Sequence, residues 1–130
     1  MEDVNLPRLI AALLPMLVLG EAALAKIIAR ETPSWFVDQF KETWLGKFPA
    51  GPQWWLVTLL ELGAAGLLFA GLVTGEVMAG SEPVLLQYGM LLAALVFVML
   101  TFGLRVAQDF AGAANGYFYT GVTLGLYALL

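Results

Sequence analysis

Residues 83–104 pass without one charged side chain. A run of roughly 20 such residues is what a helix needs to cross the hydrocarbon of a bilayer. Two more apolar runs of similar length lie earlier in the chain, at residues 6–28 and 54–75, and a fourth lies at 111–130. The 130 residues are 61% hydrophobic and 12% charged, against about 25% charged in an ordinary soluble domain. In water such a chain would expose a large contiguous apolar surface and associate. In lipid the outward apolar face is the stable one, and a helix satisfies its own backbone polar groups. The expected fold is therefore all-α: a single-domain membrane four-helix bundle with these four runs as spans. Three spans plus a half-inserted last helix is the rival topology, because Asn115 and Gly116 weaken the first half of residues 111–130.

The segment between spans one and two is different. Phe36, Phe40, Trp44 and Phe48 recur every four residues, with Val37 and Leu45 beside them, while Asp38, Lys41, Glu42 and Lys47 take other positions. That period predicts an amphipathic helix over residues 33–48, with Thr32 as its cap and Pro33 at its first position. A helix rich in Phe and Trp suits the plane of the membrane interface. A re-entrant segment packed on the bundle is the alternative. Residues 49–53 should break it. Trp35, Trp44, Trp54 and Trp55 are expected at an interface.

Several classes of chemistry are excluded by composition. The chain has no Cys and no His, so disulfides, thiolate redox chemistry, His-held haem and the usual zinc sites are out. No metal site is expected, and any cofactor must be held without His or Cys. Net charge is −4 and no basic cluster exists, which argues against nucleic acid as a partner. The opening Met1-Glu2-Asp3 is acidic where a secretory leader is basic, so the first run is expected to be retained as a span. Arg30, Lys41, Lys47 and Arg105 fall on the side of the first and third connections, which the positive-inside rule places in the cytoplasm.

Charges inside spans are costly, roughly 2.5–3.5 kcal/mol near a helix centre on insertion scales, and so single out candidate residues. Glu21, Lys26, Glu61, Arg105 and Asp109 form this set, as a ligand-binding or intramembrane polar cluster. Glu61 must face the bundle interior or stay protonated, as a proton-carrying or ligand-binding carboxyl or as a structural partner of Lys26 or Arg105. Lys26 either snorkels to the interface or pairs with Glu61. Glu21 is then left to find Arg105 or a hydroxyl. Arg105 and Asp109 would share a face on a continuous helix and form a salt bridge or helix-end contact. Gln108, Asn115, Tyr117 and Tyr119 follow closely and are expected to line a polar mouth with aromatic walls, or else an interfacial belt. Pro15 should interrupt span one and free the carbonyl of Ala11. Gly63, Gly66, Ala70, Gly71 and Gly75 give the small-residue spacing that lets membrane helices approach.

Further residues form a pattern: Gly20 with Lys26-Ile27, an aromatic-rich segment, Leu60-Glu61-Leu62-Gly63, and Gly66-Leu67-Leu68-Phe69-Ala70-Gly71-Leu72. In these the chain resembles the DoxX-like family of small four-span membrane proteins. The resemblance covers roughly the first 75 residues, and the remainder matches mainly in hydropathy. The histidines often seen in relatives are absent. The resemblance implies an accessory or anchoring subunit of a quinone-linked oxidoreductase complex, with Lys26 and Glu61 at recurrent charged positions. It does not by itself imply catalysis. A bacterial or archaeal plasma membrane is the expected location. Other membrane subunits, or further copies of this chain, are the expected partners besides lipid. The alternatives are a protein that binds a quinone or lipid within the bundle, and a small transporter or proton pathway.

Overall fold

Asn5 Oδ1 accepts the backbone N–H of Arg8 at 3.1 Å, and Pro7 occupies the first turn. Both features start a helix cleanly. In the computed structural model, which describes residues 4–130, this helix is α1 (Leu6–Ala29). It is followed by a short α2 (Ser34–Phe40), one 3₁₀ turn at Trp44–Lys47, then α3 (Ala50–Val73), α4 (Val84–Val106) and α5 (Phe110–Tyr127). Each long helix packs on the next, α1 on α3, α3 on α4 and α4 on α5, whereas α1 and α5 barely touch.

Three helices, α1, α3 and α4, are long and apolar enough to cross a membrane. At 1.5 Å per residue their 24, 24 and 23 residues reach about 35 Å, more than the roughly 30 Å hydrocarbon thickness. Apolar helices of this length make the chain an integral membrane protein in contact with lipid. The last helix, α5, has 18 residues and four glycines, and is not among the three.

Small side chains let these helices come close. Ala11, Ala12, Ala23, Ala64 and Ala93 are fully buried. They leave room for two stacked apolar clusters, one around Leu68, Leu86 and Met90, the other around Leu19 and Val96. Gly71 and Gly89 are the tightest points between α3 and α4. A Cβ on Gly71 would lie 2.7 Å from Leu86 Cδ2, and one on Gly89 would lie 2.9 Å from Leu68 Cγ. The glycine spacing seen in the sequence is used only in part. Gly66 faces nothing within 4 Å, and Gly75 lies beyond α3 with φ +84°.

The segment after span one departs from expectation. The helix predicted over residues 33–48 stops at Phe40. Thr43 Oγ1 donates to the Phe40 carbonyl at 2.8 Å, so the chain turns where the next helical bond would form. Gly46 then packs against the carbonyls of Phe40 and Lys41, where no side chain fits. Pro33, not Thr32, precedes α2, and no side chain caps it. Residues 49–53 do not break the chain either, since α3 already starts at Ala50. Pro52 lies in its first turn, where a missing N–H costs nothing.

At the opposite end, Arg8 binds the bundle together. Its guanidinium donates to the carbonyls of Glu76 (2.8 Å), Ser81 (2.9 Å) and Leu130 (2.7 Å). The Glu76 carboxylate accepts the N–H groups of Leu85 and Leu86 at 3.1 and 2.9 Å. It thereby caps α4, which Pro83 leaves uncapped.

Candidate functional site

Glu61 is the twelfth of the 24 residues of α3, so it lies near the middle of the span. The earlier start of α3 at Ala50 puts it deeper than a helix beginning at Trp54 would. Its side chain is 3% exposed, and Lys26 Nζ donates to its Oε1. The pairing follows from helix geometry. A helical side chain tilts toward its own N-terminus, and α1 and α3 run antiparallel. Lys26, one turn from the end of α1, therefore points down into the bundle, while Glu61 points up toward it. Among the described residues this is the one ion pair.

The ammonium of Lys26 also stands 4.7 Å from the centre of the Trp54 ring, within cation–π range. Trp54 is 8% exposed and its indole Nε1 is buried with no hydrogen-bond partner among the described residues. The neighbouring Thr58 spends its hydroxyl on the Trp54 carbonyl at 2.9 Å.

Residues of α2 roof this pair. Phe36 and Trp35 lie 4.9 and 5.6 Å from the Trp54 ring, at tilted and edge-on angles. Phe40 is buried against Gly103 of α4, 3.5 Å from where a Cβ would stand. The result is a cleft of about 470 Å³ between the connector, α3 and α4. Its walls are aromatic and aliphatic, and Lys26, Gln39 and Gln53 are its polar lining residues. The connector thus packs on the bundle, while Trp35, Val37, Trp44 and Phe48 keep an exposed apolar surface.

The other sequence candidates do not join this site. Glu21 is exposed on α1 and has no ion-pair partner among the described residues, so the expected contact with Arg105 or a hydroxyl is not made. The Arg105–Asp109 salt bridge does not form either, because the chain leaves the helix between them. Gln108 takes a left-handed conformation with φ +64°, and Asp109 turns to accept the Gly112 N–H at 2.9 Å as the cap of α5. Arg105 lies 4.7 Å from the Phe110 ring instead. The polar mouth expected from Gln108, Tyr117 and Tyr119 is dispersed. Gln108 borders a polar hollow beside Lys41 and Glu42, Tyr117 an α4–α5 groove, and Tyr119 an apolar α1–α5 groove. Trp44 meets Phe102 edge-on at 6.0 Å, and Trp55 is half-buried.

Sequence reasoning missed Gln39 and Gln53 as cleft residues, and Arg8 with Glu76 as the clamp of the far end. An arginine in the first turn of an apolar run, with an acid opening the loop between α3 and α4, was a usable signal for the clamp. Nothing in the pattern singled out the two glutamines. Compared with protein-family models, curated proteins and solved structures, the chain matches none.

Proposed function

We propose that the cleft over Lys26 and Glu61 binds a planar, apolar molecule bearing hydrogen-bond acceptors, of the quinone class. The observation that carries this reading is the cleft itself, an aromatic slot of about 470 Å³ with an ammonium among its lining groups. Small-molecule sites are mostly apolar with a few placed polar groups. Trp35, Phe36 and Trp54 offer ring faces and edges, Lys26 and the amide of Gln39 offer donors, and Glu61 holds the ammonium in place, while the Gln53 amide N–H groups are spent on the carbonyls of Leu45 and Phe48. In this reading α5 completes a fourth span, as in the DoxX-like family that the first 75 residues resemble, and the protein sits in a bacterial or archaeal plasma membrane. The test is a titration of the purified protein in nanodiscs with a short-chain benzoquinone, read by tryptophan quenching. Saturable quenching is expected, weakened at least about tenfold in Trp35→Ala and in Glu61→Gln, each still folded. Quenching that never saturates, or that both variants leave unchanged, sinks the reading.

A second reading, an accessory subunit of a membrane oxidoreductase complex, is favoured by Glu21. This carboxylate lies eight residues before the end of α1, on an exposed face with Leu17 and Leu24. Facing lipid there is costly, and a donor from another subunit relieves it. Glu21→Leu is then expected to lose co-purifying subunits from native membranes while the chain itself stays folded. Unchanged co-purification counts against this reading.

A further inference from the structure

Arg105 stands in the last turn of α4, at the end of the bundle that carries the connector. It is exposed, forms no ion pair, and its side chain donates to no protein acceptor among the described residues. Its guanidinium lies over the Phe110 ring, 4.7 Å from the centre. Twenty-one residues separate it from the start of α4 at Val84, about 31 Å at 1.5 Å per residue. That is one hydrocarbon thickness, so Arg105 sits at the level of the lipid headgroups.

Directly below it, α4 and α5 leave a groove of about 280 Å³ lined by Val98, Thr101, Phe102, Arg105, Tyr117 and Thr120. The groove has a physical origin. Gly116 brings α5 against Thr101 with no room for a side chain, while Phe102 and Tyr117 stand out on either side, 55% and 73% exposed. Both threonine hydroxyls are spent on their own helices, Thr101 on the Phe97 carbonyl and Thr120 on that of Gly116. Besides Arg105, the Tyr117 phenol is therefore the one side-chain donor left in the lining. Arg105 is the only charge in the lining. The nearby acid, Asp109, is occupied in capping α5.

We infer that the α4–α5 groove is a binding site for one anionic phospholipid, with its phosphate on Arg105 and an acyl chain between Phe102 and Tyr117. Charge complementarity selects this occupant. A single guanidinium with no protein acceptor among the described residues suits a phosphate's paired oxygens, and the apolar walls beneath suit the chain attached to it. The C-terminal turn of α4 adds nothing for the anion, since its carbonyls favour cations. Selectivity for a charged headgroup rests on Arg105, the one charge in the lining. This inference is independent of the ligand proposed for the Lys26 cleft, which lies on the α3 side of α4.

The test uses the full chain in detergent micelles, with bound lipids counted by native mass spectrometry. The probes are dioleoyl phosphatidylglycerol and dioleoyl phosphatidylcholine, which share acyl chains. The wild type is expected to hold one phosphatidylglycerol about fivefold more tightly than phosphatidylcholine, the factor expected for one basic side chain near a charged surface. Arg105→Gln should abolish that preference and leave weak binding of both lipids. Val98→Trp keeps the charge and fills the groove, and should weaken both lipids. Lys47→Gln, a charge at the same end but outside the groove, should change nothing. The inference is overturned if the wild type shows no preference, if Arg105→Gln keeps it, or if Val98→Trp binds like the wild type. It is equally overturned if inorganic phosphate alone competes at the lipid's concentration, since the site would then hold a free anion.

Discussion

Arg8 Nη2 donates to the carbonyl of Leu130 at 2.7 Å, tying α1 to the segment that follows α5; the two helices otherwise barely touch. The same guanidinium holds the carbonyls of Glu76 and Ser81, so one side chain gathers α1, the α3–α4 loop and Leu130 beyond α5. Hydrogen bonds to charged donors contribute about 1.5–3 kcal/mol each, and three on one group are not additive. Arg8→Gln is expected to cost at least about 3 kcal/mol in unfolding measured in mixed micelles. Amide exchange should rise first in residues 74–83. Exchange that rises uniformly, or a loss under about 1 kcal/mol, would show that the clamp is not what closes this end.

The Lys26–Glu61 pair calls for a double-mutant cycle. Removing one partner of a buried pair typically costs 3–5 kcal/mol because the other charge is stranded, whereas replacing both by apolar groups is often neutral. Lys26→Met and Glu61→Leu should therefore each destabilise by about that amount, and the double variant should recover most of the loss. Equal and additive losses in the cycle would mean that the two residues act separately.

The sequence made the long helices legible for a simple reason. Span hydrophobicity is set by the bilayer and needs no knowledge of neighbours. Pairing of Lys26 with Glu61 was readable only as one alternative, beside snorkelling of Lys26 or a contact of Glu61 with Arg105, because periodicity does not say which helices are neighbours. The connector was not legible. Its aromatic period of four continues through Trp44 and Phe48, but the break at Phe40 depends on the Thr43 hydroxyl and on Gly46 folding back against two carbonyls. Those are tertiary contacts within a turn, invisible to periodicity. Arg105 and Asp109 failed for a related reason, because their spacing implies one face only if the helix is continuous, and α4 ends between them.

That helix end supplies a further prediction. Gln108 sits at φ +64° just past α4, where a Cβ crowds the backbone and costs about 1–2 kcal/mol. Glycine adopts this conformation freely and is the usual residue after a helix. Part of the gain is lost because glycine also loosens the unfolded chain. Gln108→Gly should raise stability by about 0.5–1 kcal/mol, seen as a higher midpoint in thermal unfolding. A lower midpoint would mean that the glutamine side chain makes a contact that matters more than the strain it bears.

Two glycines of similar sequence context should respond in opposite directions to alanine. A Cβ on Gly89 would meet Leu68 Cγ at 2.9 Å and the Leu68 backbone nitrogen at 3.1 Å. The side chain can rotate away, but the backbone of α3 cannot move without parting the helices. Overpacking of this kind costs about 1–3 kcal/mol. On Gly66 the same atom meets nothing within 4 Å, and alanine is the better helix former by roughly 0.8–1 kcal/mol. Gly89→Ala is thus expected to destabilise and Gly66→Ala to stabilise or be neutral in the same unfolding assay. If Gly66→Ala instead disrupts assembly in native membranes while leaving the isolated chain intact, that open face of α3 is where another helix packs.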